Sequence, residues 1–104
     1  MENSSSTKTL WELVIEQETL FKKRIRWLRK AITKRKVNID KHRHNLTKVE
    51  NYLQTHPKRV VKYTEKITLW KSKVDNHEKV VQRLRDAIRS YKREIHRLRT
   101  FHYL

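Results

Sequence analysis

Cysteine and glycine are absent from this chain, proline occurs once, and acidic residues are scarce: 11 Asp and Glu stand against 27 Lys and Arg. Each shortage excludes something. Without Cys there is no disulfide framework and no thiolate metal site, which suits a reducing compartment. Without Gly, turns that need a positive φ are discouraged, and Pro57 marks the one strong break. No apolar run approaches the roughly 18 residues of a membrane span, and the opening MENSSSTK lacks the apolar core of a secretory signal. These absences point to a soluble intracellular protein (cytoplasmic, nucleoid-associated or nuclear), or to a component of a virus or mobile element acting inside a cell. A membrane partner is not expected.

What is present is charge and regular apolar spacing. The 104 residues suffice for one small domain, with a formal net charge of +16 and a pI near 10.5. Self-repulsion on this scale opposes a compact state unless a polyanion or an acidic partner relieves it. A charged fraction of 37% is compatible with disorder, but three Trp, four Tyr, two Phe and evenly spaced Ile, Leu and Val argue for a fold.

The spacing is a heptad. With Ile25 as position a, the first half reads Phe21, Ile25, Leu28, Ile32, Arg35, Ile39, His42, Leu46, Val49 and Leu53. The second half reads Val60, Tyr63, Ile67, Trp70, Val74, His77, Val81, Leu84, Ile88, Tyr91, Ile95, Leu98 and His102. Gaps of three and four alternate without a slip, the pattern of a coiled coil. Thr9-Leu10-Trp11-Glu12 fits a capping box, and Leu53-Gln54-Thr55-His56-Pro57 fits a stop. The expected architecture is all-α: a long antiparallel two-helix coiled-coil hairpin, dimerising into a four-helix assembly. Helix one spans about residues 9–54, a turn about 55–57 and helix two about 57–100, after a disordered polar tail over residues 1–8.

Apolar residues off the seam suggest an interface. Leu13, Leu20 and Trp27 repeat every seven residues on the outer side of helix one. Trp11, Phe101 and Tyr103 belong to the same open end of the hairpin. These side chains either fold over their own hairpin or bury against a second copy. The second is the expectation, because exposed apolar stripes mark interfaces. Small or apolar residues on the g edge, Ala31, Val80 and Ala87, let another helix approach closely.

The e edge is basic. Helix one places Lys22, Arg29, Lys36 and Arg43 there, and helix two places Lys71, Glu78, Arg85, Lys92 and Arg99. Pairing across a turn near residue 57 sets Arg43 by Lys71, Lys36 by Glu78, Arg29 by Arg85 and Lys22 by Lys92. Three of those four neighbours are like-charged, where coiled coils normally arrange attraction. Arg89 and Arg93 extend the arginine density of helix two, and Arg adds bidentate phosphate contact. Heptads space basic groups about 10.5 Å apart along a helix, which suits repeated backbone contacts and carries no base-reading geometry.

Arg35, His42 and His77 interrupt the seam. They serve to fix register, or, for the histidines, to loosen the core below about pH 6. No His pair has the i, i+4 spacing of a helical zinc site, and no Gly-rich loop, carboxylate pair or activated nucleophile is evident. No catalytic residue, metal or cofactor is expected. The leading expectation is a non-enzymatic nucleic-acid-binding protein, on DNA or RNA, acting as a homodimer or as a subunit of a larger complex. The alternative is a small regulatory protein, of phage or mobile-element type, docking on an acidic surface of a larger protein or nucleoprotein machine.

Overall fold

A computed structural model of the chain describes residues 8–103, with side chains described through residue 100. The expected tail over residues 1–8 therefore lies, apart from Lys8, outside the described residues. Helix α1 spans Leu10–Thr55 and helix α2 spans Val60–Tyr103, joined by His56 and a 3-10 turn at Pro57–Arg59. Residues that meet across the pair rise in number on one helix as they fall on the other: Glu18 with Arg99, Phe21 with Tyr91, Arg35 with His77, Tyr52 with Tyr63. The chain is an antiparallel helical hairpin, a rod of 79 × 31 × 15 Å.

Local chemistry sets the ends. The Thr9 hydroxyl accepts from the Glu12 backbone N–H at 3.1 Å, which satisfies one of the four orphan donors of α1. At the other end the His56 N–H donates to the Tyr52 carbonyl at 3.0 Å, and Pro57 then blocks continuation. The chain reverses without Gly and, among the described residues, without any positive φ. His56 instead takes φ −132°, ψ 63°, and the Arg59 N–H closes the 3-10 turn on the His56 carbonyl. An aromatic clasp steadies the corner: Tyr52 stacks on His56 at 4.2 Å and meets Tyr63 edge-on at 5.7 Å.

The core is a single column. Ile25, Leu28, Ile32 and Ile39 from α1 pack with Val81, Ile88 and Ile95 from α2, flanked by Phe21, Val74, Leu84, Ala87 and Tyr91. All but Leu28 of the buried members occupy position a, where β-branched side chains have stiff, well-matched rotamers. Val14, also buried, carries the seam one heptad beyond Phe21 toward the open end. No large side chain among the described residues is completely buried, as expected when two helices cover only one stripe of each other. Each seam isoleucine is correspondingly valuable. Ile88→Ala is expected to lower the unfolding free energy by about 2–3 kcal/mol, read as a lower urea midpoint by circular dichroism. Val61→Ala, at a residue 86% exposed, should stay within about 0.5 kcal/mol of wild type.

Candidate nucleic-acid interface

The e positions flank the column of a residues, so basic side chains form walls above an apolar floor. Two grooves result. One, of about 530 Å³, has Ile39 and Val81 as its floor and Lys36, Asp40, Arg43, Glu78, Gln82 and Arg85 as its walls. The other, of about 380 Å³ and nearer the open end, has Ile25 and Ile95 as its floor. Its walls are Lys22, Arg26, Arg29 and Lys92, with no carboxylate among them.

Cross-helix pairing differs from the sequence expectation. Arg43 forms its ion pair with Glu78, not opposite Lys71, and Glu78 is thereby taken by Arg43 and not by Lys36. The reason is the direction of the side chains. Every helical side chain leans toward its own N-terminus. In an antiparallel pair, Arg43 therefore leans toward Glu78 while Glu78 leans toward Arg43, whereas Arg43 and Lys71 lean apart. A second relief point lies at Glu18, a seam position the heptad assignment did not include. Its carboxylate accepts from Arg99 Nε at 3.0 Å and pairs with Lys22 at 3.1 Å. Hydrogen bonds from Arg99 and then Lys22 hold the Glu18 carboxyl below its ordinary range.

The remaining basic residues differ in how far they are neutralised. Arg89 lies 3.6 Å from Asp86. Among the described residues, Arg29, Lys36, Lys71, Arg85, Lys92 and Arg93 have no ion pair and are exposed. Arg29, Lys36, Arg85 and Lys92 share the groove walls; Lys71 and Arg93 are outside them. Arg26 belongs to the groove but escaped the sequence assignment because it sits at position b, next to e around the helix. Of the expected interface residues, Trp11, Leu13, Leu20 and Trp27 are exposed, and Ala31, Val80 and Ala87 are half-buried along the hairpin's own g edge. The side chains of Phe101 and Tyr103 lie outside the described residues.

Arg35, His42 and His77 form one cluster in the seam. Arg35 donates to His77 Nδ1 at 3.0 Å. Arg has no lone pair to offer, so this nitrogen is the acceptor and His77 carries its proton on Nε2. The His42 ring stacks on His77 at 5.8 Å, and its buried Nδ1 has no hydrogen-bond partner among the described residues. Burial, then the charge of Arg35, with His42 and Lys73 adding to it, pushes the His77 pKa below its ordinary value. Among the described residues no group of three or more His, Cys, Asp or Glu is placed to hold a metal ion. No described helix is long and apolar enough to cross a membrane. The chain matches no protein-family model, no curated protein and no solved structure.

The pH dependence follows from the two shifted groups. Folded His77 binds its proton more weakly than the unfolded chain does, so stability present above the ordinary value of 6.5 is lost as pH falls through it. Glu18 contributes stability that is present above 4.5 and lost below it. The thermal midpoint should therefore fall between about pH 7.5 and 5.5, and fall again in more acidic buffer. His77→Gln keeps an acceptor for Arg35 but takes up no proton, so it should flatten the first decline. An unchanged pH profile in that variant would remove His77 as its source.

Proposed function

We propose that this chain is a non-enzymatic nucleic-acid-binding protein that works as a dimer and contacts phosphates along its e edge, largely independently of sequence. The observation that carries this is the groove over Ile25 and Ile95, where Lys22, Arg26, Arg29 and Lys92 converge without a lining carboxylate. A groove walled by one sign of charge over a low-dielectric floor focuses potential and draws in counter-ions of the opposite sign. Replacing those small ions by phosphates releases them, which makes binding favourable and steeply salt-dependent. Two of its walls are Arg, whose planar fork matches phosphate bidentately. The groove over Ile39 and Val81 contributes less, because Asp40 and Glu78 offset much of its charge.

Fluorescence anisotropy on duplex DNA and on structured RNA across a salt series tests this. Binding to duplex DNA should weaken with salt along a log–log line whose slope falls by about 0.9 for each phosphate contact removed. The triple variant Arg26→Ala, Arg29→Ala, Lys92→Ala should lose close to three such contacts. Arg43→Ala should lose much less, since Glu78 already holds that charge. Failure to bind either polymer at moderate salt would overturn the proposal in favour of docking on an acidic protein surface.

A further inference from the structure

We infer that residues 10–27 of α1 are the contact between two copies of this chain, which cross antiparallel about a two-fold axis level with residues 18 and 19. The inference rests on the dimeric state proposed above and specifies its surface and register. A second seam runs along the side of α1 away from the e edge: Leu10, Leu13, Gln17, Leu20, Arg24, Trp27 and Ala31, again with gaps of three and four. Its g side leans on the hairpin, with Gln17 and Ala31 half-buried and Arg24 over the Tyr91 ring, but its large apolar side chains are uncovered. Leu10 is 59% exposed, Leu13 49%, Leu20 39% and Trp27 66%. Four large apolar side chains in register along about 26 Å of helix form a continuous stripe, not the scattered apolar residues of an ordinary surface.

Charge identifies the occupant. Of the charges on or beside this stripe, Glu16 stands in the first half and Lys23 and Arg24 in the second, with Lys30 beyond them. An acidic partner would be repelled by the first half of the stripe and a basic partner by the second. A surface carrying the same two halves in reverse order satisfies both, and an antiparallel second copy is such a surface. In a parallel crossing, acid would lie on acid and base on base. The remainder of the molecule is so basic that another copy is repelled almost everywhere else.

The register follows from matching the two seams in the manner of antiparallel coiled coils. Trp27 of one copy covers Leu10 of the other. The two Leu20 side chains meet across the axis with Gln17 beside them, and Leu13 lies on the aliphatic stem of Arg24. Glu16, which Lys8 holds within the single chain, comes beside Lys23 of the second copy, and the symmetry repeats that pair. One flank of the new seam is thus charged and the other is the hairpin itself. The Lys22, Arg29 and Lys92 groove lies on the far side and stays open, so each dimer presents it twice.

Sedimentation equilibrium of the full chain at moderate salt tests the interface. Wild type should be a dimer. Leu20→Glu, which buries two unpaired carboxylates in the dimer, should weaken association by about 100-fold or more. It should leave helicity intact, because Leu20 lies outside the hairpin core. Glu16→Lys and Lys23→Glu should each weaken the dimer by roughly fivefold through two exposed pairs, and the double variant should recover it at unchanged net charge. A dimer indifferent to Leu20→Glu and Trp27→Glu would keep the dimeric state and overturn this interface. Loss in both single reversals without recovery in the double would overturn the antiparallel register, and a wild type monomeric at all concentrations would overturn both.

Discussion

Two parallel-sided helices with an excess of 16 positive charges stay together through one narrow column of apolar contacts, with Ile25, Ile32 and Ile39 against Val81, Ile88 and Ile95 at its centre. The rest of the molecule depends on that column. It holds the helices close enough for Arg43 to reach Glu78 and for Arg99 to reach Glu18, two pairs that relieve repulsion along the edge. The Arg43–Glu78 pair is exposed and adds little by itself, whereas the Glu18 side chain is only 14% exposed. The effect of both pairs is on register: a slip of one heptad would preserve the apolar column but move each Glu away from its Arg.

The column is too thin to conceal anything, and this shapes where chemistry sits. Apart from Glu18, which Arg99 and Lys22 hold, the polar side chains of the described seam enter as a connected set, with Arg35 donating to His77 and His42 stacked on it. Such a cluster costs stability relative to an apolar layer and favours one alignment over its neighbours. Along the e edge, the same a-position isoleucines that hold the helices together become groove floors, so the basic walls stand over low-dielectric surface. A charge placed there acts at longer effective range than one on an isolated helix.

The two long faces of α1 differ in chemistry. Its e face, with Lys22, Arg29 and Lys36, borders the grooves. Its opposite face carries the stripe from Leu10 to Trp27, with Glu16 beside one half and Lys23 and Arg24 beside the other. Because these faces lie on different sides of one helix, a second copy on the stripe does not compete with a polyanion in the groove. Neutralisation of the groove by phosphate would reduce the repulsion between copies, so the two proposed associations would reinforce each other electrostatically.

The hairpin is legible in the sequence, because it rests on local rules. Heptad spacing makes a helix amphipathic whatever surrounds it, Thr9 supplies a cap within three residues, and Pro57 removes a donor wherever it stands. The basic e edge is legible for the same reason, as is the outer stripe of Leu13, Leu20 and Trp27. The cross-helix partners are not. Counting residues from the turn sets Arg43 by Lys71, yet the lean of side chains toward each N-terminus, opposed in antiparallel helices, delivers it to Glu78. Glu18 was hidden because a carboxylate at a seam position looks like the end of the pattern until Arg99, 81 residues away, arrives to hold it. Arg26 joins the groove because a b position lies next to e around the helix and that edge is open there. What the sequence determined by itself was helix, reversal and the sign of each face. Which charges are neutralised and which stay free was decided by tertiary structure, since a charge pair forms over a few ångströms and heptad position alone does not set that distance.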